Sequence, residues 1–111
     1  MESICLIPAR GGSKRIPRKN LKLFLGKPLI LWSIEAAISS GIFDEIYVST
    51  DDNEIAELAA SNGANVPFLR PEKISNDFAI DQEVIDHFLE WMKEKKIKAD
   101  NLCYLYATAP F

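Results

Sequence analysis

Four short apolar runs alternate along the chain with longer stretches in which apolar residues recur at helical spacing. The runs are five to seven residues long and rich in β-branched, aromatic and other apolar side chains, as buried strands are. The alternation β-α-β-α-β-α-β predicts an α/β fold with a mainly parallel sheet, right-handed crossovers and helices on both faces. The four strands are predicted at 3–9, 45–50, 64–69 and 102–106.

Helix boundaries follow from residues that start or stop helices. Pro28 suits the first position of the first helix, and Gly41 suits the position after its last turn. Asp51 precedes the second helical stretch and Gly63 follows it. We interpret Asp51 as the N-cap of that helix; the alternative is a carboxylate at a magnesium or phosphate site. A third helix is predicted from about 79 to 96.

The order of the strands decides which loops meet. We predict the central order 3-2-1-4, which puts the loop after the first strand at the topological switch point, where such sheets bind ligands. Pro67 offers no N–H to a neighbour, so the third strand is expected at an edge. The same order makes Cys5 and Cys103 neighbours, and we interpret both as reduced core thiols. The segment 22–28 is predicted as a turn with a small apolar pair.

A basic segment follows the first strand. Seven Lys/Arg and no acidic residue lie from Arg10 to Lys27, whereas the rest of the chain has six Lys/Arg against sixteen Asp/Glu, a net charge of −10. The Gly11-Gly12 pair lets backbone N–H groups approach a ligand closely, Ser13 adds a hydroxyl, and Arg10 and Lys14 are phosphate-binding cations. The spacing is neither a Walker A loop nor a G-x-G-x-x-G motif. We predict a polyphosphate cradle, with a solvated basic loop as the alternative.

Composition excludes several classes of protein. The 111 residues are 48% apolar and 26% charged, which is typical of one soluble globular domain, and no apolar run approaches a membrane span. The chain opens without the basic segment of a signal peptide, so we expect a cytoplasmic protein. Nucleic-acid binding is not expected, because the cations are confined to one loop and the isoelectric point is about 5.1.

The stretch I-P-A-R-G-G-S-K-R-I-P-R-K-N at 7–20 resembles the signature of the acylneuraminate cytidylyltransferases, also called CMP-sialic acid synthetases. That family joins CTP to a nine-carbon sugar acid and releases pyrophosphate. The resemblance implies a Rossmann-like three-layer nucleotidyltransferase of the glycosyltransferase-A type. It extends to the last residue, which corresponds to the middle of the family's catalytic domain. We therefore expect 1–111 to be the N-terminal, CTP-binding half of one domain, and to be inactive alone.

The resemblance also implies a set of site residues. Arg10 and Lys14 are expected to act catalytically, Asn20 to contact the nucleoside and Arg70 to reach the cytosine. Relatives often carry serine at the positions of Ala79 and Asp81, so a backbone contact is expected for Ala79, and a side-chain contact by Asp81 does not transfer directly. The Mg²⁺ ligands are expected mostly outside this chain, and the full-length protein is expected to be a homodimer. The nucleotide-binding residues implied are Ala9, Arg10, Gly11, Gly12, Ser13, Lys14, Asn20, Arg70, Ala79 and Asp81.

The end of the chain bears on the sugar. Sialic-acid members read Q-P-T-S-P after the fourth strand, whereas Y-A-T-A-P-F at 106–111 resembles the branch that activates pseudaminic acid. Tyr106 and Thr108 are the residues expected to bind the sugar, with Tyr106 in the place of the glutamine that faces it. The alternatives are N-acetylneuraminic acid, the eight-carbon acid of lipopolysaccharide, or a catalytically inactive nucleotide-binding fragment.

Overall fold

The computed structural model describes residues 2–11, 19–71 and 81–106. A short 3-10 helix spans Lys19–Leu21. The strands are β1 (Ser3–Pro8), β2 (Leu23–Phe24), β3 (Lys27–Pro28), β4 (Glu45–Ser49) and β5 (Asn101–Tyr104). The helices are α1 (Leu29–Ser40), α2 (Asn53–Ser61) and α3 (Asp81–Glu94). No helix among these residues is long and apolar enough to cross a membrane.

The main sheet has the order β4-β1-β5, and both pairings are parallel. The predicted third strand runs parallel beside β4, but it pairs only at two isolated bridges, Tyr47 with Asn65 and Thr50 with Leu69. Pro67 lies between those bridges and has no N–H for a continuous ladder. The predicted order 3-2-1-4 is therefore confirmed, with a bridged segment in place of its third strand.

Side chains cover the sheet on both faces. One face packs against α1 and α2 through a core that includes Ile7, Ile34 and Ile55. The other face packs against α3, whose Phe88 is fully buried over β1 and β4. Because parallel strands cross over through helices on either side, this produces the three layers expected from the alternating pattern.

The two cysteines lie opposite each other on β1 and β5, as the strand order predicts. Cys5 is buried, and burial raises its thiol pKa to about 12, so the thiol stays protonated. Cys103 is exposed, which corrects its interpretation as a core thiol. The reason is that β5 pairs only with β1 among the described residues, and its side chains are alternately exposed and half-buried.

Two helix boundaries differ from those predicted. Asp52 rather than Asp51 caps α2, because its side chain accepts hydrogen bonds from the N–H groups of Glu54 and Ile55. Pro28 is the N-cap of α1 and not its first helical residue, whereas Gly41 ends α1 in the left-handed conformation as predicted. The third helix ends at Glu94, two residues earlier than predicted.

The predicted turn at 22–28 is a β-hairpin. Strands β2 and β3 pair antiparallel around Leu25-Gly26, and both of these residues have positive φ, 52° and 82°. Two positive φ angles are the geometry of a type I′ turn, which matches the twist of paired strands. The indole Nε1 of Trp32 donates to the carbonyl of Phe24, so the hairpin is joined to α1.

Candidate functional site at the carboxyl edge of the sheet

The loops after β1, β4, the bridged segment and β5 meet at one edge of the sheet, because parallel strands all end there. Arg10-Gly11 follows β1, and Asp51-Asp52 follows β4. Arg70 ends the bridged segment, and Tyr106 comes shortly after β5. The topology thus collects the described parts of the predicted site at the crevice where such sheets bind ligands.

The start of the Gly-Gly loop is held closely against β4 and α2. The N–H of Ala9, a residue with only 1% of its surface exposed, donates to the carbonyl of Ser49. Two residues further on, the N–H of Gly11 donates to Oδ1 of Asp51 over 2.8 Å. A Cβ atom at Gly11 would lie 2.6 Å from Oδ2 of Asp52. Position 11 therefore requires glycine because a side chain would clash with Asp52, and not because of the φ angle.

Asn20 closes the loop from its far side. Its side chain is almost fully buried, and its Nδ2 donates to the carbonyl oxygen of Arg10 over 2.9 Å. Its Oδ1 is also buried and accepts no hydrogen bond from any residue that the structure describes. A buried acceptor without a partner costs free energy, so Oδ1 is suited to a donor that a ligand would bring.

Arg70 lies deep in the same crevice, with 6% of its surface exposed. Its backbone N–H donates to the carbonyl of Thr50, which fixes where the side chain starts. Burial lowers the pKa of Arg70 and the charge of Arg10 lowers it further, whereas Asp51 and Tyr104 raise it. Arginine stays protonated throughout the physiological range, so the crevice contains two neighbouring guanidinium groups with Asp51 as a nearby carboxylate.

Two tyrosines share one carboxylate at the β5 side of the crevice. The hydroxyl of Tyr104 donates to Oδ1 of Asp81 over 3.0 Å, and the hydroxyl of Tyr106 donates to Oδ2. Burial, followed by the hydrogen bond to Asp81, raises the pKa of Tyr104; the hydrogen bond to Asp81 is the main cause that raises the pKa of Tyr106. Both phenols are therefore neutral donors at physiological pH.

The structure brings together most of the predicted site residues that it describes. Ala9, Arg10, Gly11, Asn20 and Arg70 converge at the loop after β1. Asp81 and Tyr106 contact each other, and Tyr104 donates to the same carboxylate. The predicted residues that lie outside the described residues are Gly12, Ser13, Lys14, Ala79 and Thr108.

Two residues of this crevice were not among the predicted site residues. Asp51 contacts the loop. Its place in the site was predictable, because it directly follows the strand next to the one that precedes the Gly-Gly pair. Tyr104 contacts Asp81 from the end of β5. Its signal was weak, since a tyrosine in an apolar run is more often a core residue.

The described residues do not suit a metal ion. No three Asp, Glu, His or Cys among 2–11, 19–71 and 81–106 are grouped so as to ligate one. The carboxylates described in the crevice are those of Asp51, Asp52 and Asp81, and each already accepts at least one hydrogen bond from the protein. What the described groups offer is two cations and a buried amide acceptor, an arrangement suited to a polar anion such as a nucleotide.

Comparison with known proteins identifies the family. A profile of the family described as cytidylyltransferase matches residues 4–111. The chain belongs to the cytidylyltransferase family. It is 53% identical to a pseudaminic acid cytidylyltransferase of Campylobacter jejuni over 110 residues, which are 99% of this chain and 47% of that protein. It is 44% identical to N-acylneuraminate cytidylyltransferase A of Danio rerio over 95% of this chain and 23% of that protein.

A solved structure of a related enzyme confirms the fold of this cytidylyltransferase chain. CMP:2-keto-3-deoxy-manno-octonic acid synthetase in complex with CTP superposes with a TM-score of 0.73 at 29% identity. The match covers 96% of this chain and 40% of that one. The predicted family resemblance and the truncated α/β nucleotidyltransferase fold are confirmed. The chain spans about half the length of the pseudaminic acid relative.

Proposed function

We propose that this chain is the CTP-binding half, 1–111, of a cytidylyltransferase that forms a CMP-activated nonulosonic acid and releases pyrophosphate. Pseudaminic acid is the preferred sugar. One observation carries the proposal: the start of the Gly-Gly loop at Arg10-Gly11, the buried acceptor of Asn20 and the buried guanidinium of Arg70 converge at one crevice. A triphosphate requires an anion-binding loop, a ribose hydroxyl requires an acceptor, and the edge of the base requires a donor. The loop, Asn20 and Arg70 offer these three functions in that order.

The reaction depends mainly on position and charge. The anomeric hydroxyl of the sugar acid attacks the α-phosphorus of CTP while pyrophosphate leaves in line. Such a transfer is accelerated by holding the reactants in line and by neutralising the phosphate oxygens. We assign that neutralisation to Arg10 and Lys14, with the backbone of Gly12 and the hydroxyl of Ser13 along the phosphates. The N–H groups of Ala9 and Gly11 already donate within the protein, so these two residues are assigned to line and shape the cradle.

Asn20 and Arg70 are assigned to the nucleoside. The Oδ1 of Asn20 is buried, and a ribose hydroxyl is the donor that would satisfy it. Arg70 offers several N–H donors in a fixed planar geometry, which suits the acceptor atoms of a cytosine ring. The side chain is 6% exposed and its backbone N–H donates to the carbonyl of Thr50, so little reordering of Arg70 is expected when the base binds.

Asp81 is assigned to the exocyclic amine of cytosine, next to a backbone contact from Ala79. Each oxygen of Asp81 accepts one tyrosine hydroxyl. Each carboxylate oxygen can accept more than one hydrogen bond, so Asp81 can still accept one from the exocyclic amine of cytosine. Carboxylates accept readily from that group of cytosine, whereas the O4 atom of uracil would face them with a second acceptor.

Tyr106 and Thr108 are assigned to the sugar acid. Tyr106 is half exposed at the edge of the crevice, and its hydroxyl is oriented by Asp81. A phenol that donates to a carboxylate still has lone pairs for a sugar hydroxyl. Asp81 would thus connect the base and sugar subsites through one side chain.

The remaining parts of the proposal concern the complete enzyme. Because the chain spans 47% of the pseudaminic acid relative, most of the sugar site is expected outside it. We propose Mg²⁺ as the cofactor, with its ligands mostly outside this chain, and a cytoplasmic homodimer that binds neither nucleic acid nor a membrane. The 111-residue chain alone is proposed to bind nucleotide without turnover.

Turnover by the complete enzyme tests the substrate assignment. We expect CMP-sugar formation from CTP and pseudaminic acid, and a markedly lower kcat/KM with N-acetylneuraminic acid or the eight-carbon acid. A preference for N-acetylneuraminic acid would replace the sugar assignment and leave the nucleotide site intact. CMP-sugar formation by the isolated 111-residue chain would contradict the assignment of a half-domain.

A further inference from the structure

We propose that Asp51 is a positioning residue for nucleotide binding: its carboxylate fixes the start of the Gly-Gly loop and stands beside the buried Arg70 as its counter-charge. This inference rests on the proposed function and extends it to a residue that would not touch CTP itself. Asp51 acts in two ways: its carboxylate accepts a hydrogen bond from the loop (the loop contact), and its charge stabilises Arg70 (the charge contact).

The loop contact is a single hydrogen bond between residues forty positions apart. The N–H of Gly11 donates to Oδ1 of Asp51 over 2.8 Å. Asp51 is free to do this because the cap of α2 is supplied by its neighbour, Asp52. The side chain of Asp52 in turn lies against the Cα of Gly11. Asp51 therefore anchors the first residues of the cradle next to the amino end of α2, and Asp52 packs beside them.

The charge contact concerns Arg70. A guanidinium with 6% exposure has lost most of its hydration, and a buried charge needs a partner of opposite sign. Asp51 follows Thr50, whose carbonyl accepts the backbone N–H of Arg70, so its carboxylate lies near enough for its charge to favour the protonated form of Arg70. The charge of Arg10 opposes it. Without Asp51, two neighbouring guanidinium groups would repel each other in the unliganded crevice.

A ligand-free phosphate site concentrates positive charge, and such a site tends to rearrange unless something holds it. A resident carboxylate can hold the loop and the two arginines near their bound positions before CTP arrives, which reduces the ordering cost of binding. Outer groups that orient metal ligands commonly change affinity or activity by about 10- to 100-fold when removed, and we expect a similar range for a group that orients a phosphate-binding loop. Asp51 is thus expected to act on nucleotide KM far more than on kcat.

Two substitutions in the complete enzyme separate charge from hydrogen bond. Asp51→Asn retains an oxygen acceptor for Gly11 and loses the charge, so we expect KM for CTP to rise about 3- to 10-fold with kcat nearly unchanged. Asp51→Ala loses both, and we expect a rise of about 10- to 100-fold. Asp100→Asn is the matched control, because it removes the same charge from an exposed residue before β5 and should leave KM unchanged.

Hydrogen exchange at the loop provides an independent readout. The Gly11 amide of the complete, nucleotide-free enzyme should be protected in the wild type and in Asp51→Asn, and should exchange faster in Asp51→Ala. If Asp51→Ala does not fold, Asp51→Asn alone decides, since it retains the hydrogen bond. Wild-type KM values in both variants would overturn the role of Asp51 while leaving the proposed function standing. A complete wild-type enzyme that does not use CTP would instead overturn the proposed function, and the role of Asp51 with it.

Discussion

Asn20 donates a hydrogen bond from Nδ2 to the carbonyl oxygen of Arg10 over 2.9 Å, and so joins the two described ends of the Gly-Gly loop. The same amide group buries an Oδ1 that has no partner among the described residues. One side chain therefore closes the loop and offers an acceptor to whatever the loop binds. This double use gives a physical reason for burying an uncharged amide at this position.

Substitution of Asn20 should weaken CTP binding more than it weakens the fold. Asn20→Ala removes both the closing hydrogen bond and the acceptor, and we expect KM for CTP to rise at least about tenfold, since a buried hydrogen bond is worth about 1–1.5 kcal/mol. Asn62→Ala is the matched control, because Asn62 also donates from Nδ2 to a backbone carbonyl, but at the end of α2. Steady-state kinetics of both variants make the comparison; equal effects on KM would contradict a specific role for Asn20.

Gly11 should not tolerate a side chain. In Gly11→Ala the new Cβ would meet Oδ2 of Asp52 at 2.6 Å, so the loop must move away from α2. We expect KM for CTP to rise about tenfold or more, in line with the loss of a positioning contact. Gly41→Ala is a useful contrast: its φ of 69° strains any other residue, but no atom lies within 4 Å of the new Cβ. That variant should lose about 1 kcal/mol of stability and keep its KM.

Asp81 is predicted to help select cytosine. Asp81→Asn places an amide where the carboxylate stood, and an amide can turn its NH₂ toward the O4 of uracil. The preference for CTP over UTP, measured as a ratio of kcat/KM values, should fall by about 1–3 kcal/mol, the usual value of one good base contact. Asp86→Asn, one turn further along α3 and hydrogen-bonded to Gln82, is the control. An unchanged ratio in Asp81→Asn would remove Asp81 from the base site.

Burial of Tyr104, together with its hydrogen bond to Asp81, predicts how stability depends on alkaline pH. The folded pKa of Tyr104 lies above its usual value, so the folded protein retains the proton when the unfolded chain begins to lose it. The free energy of unfolding that Tyr104 contributes is therefore fully present below pH 10 and is lost as the pH rises above it. Denaturant unfolding between pH 8 and 11 should show a steeper decline for the wild type than for Tyr104→Phe. Parallel declines would mean that the folded and unfolded chains release the Tyr104 proton over the same pH range.

The strand order was predictable from the alternation of strands and helices and from the rule that such sheets bind ligands at the topological switch point. The pairing of Cys5 opposite Cys103 confirms that order. Local details were less accessible. Asp51 and Asp52 are adjacent and chemically identical, so cap statistics could not tell which one caps α2 and which one turns toward Gly11. Leu25 is a poor residue for positive φ, so nothing local indicated the type I′ turn of the hairpin.

The contacts within the site depend on chain segments far apart in sequence. The spacing of Asp81 and Tyr104 within their own elements does not indicate that they meet. They do so because α3 packs over β1 and β4 and starts near the carboxyl edge, where β5 ends. Sequence alone could thus assign residues to the correct edge of the sheet, whereas their pairing required the packed structure.

Calorimetric titration of the 111-residue chain with CTP and Mg²⁺ tests the central claim most directly, with ATP as the competing nucleotide and circular dichroism to show that the chain is folded. We expect CTP to bind in clear preference to ATP, because Asn20, Arg70 and the start of the loop at Arg10 already converge within this chain. Equal binding of both nucleotides, or a folded chain without affinity for CTP, would contradict the claim that these residues form a cytidine nucleotide site.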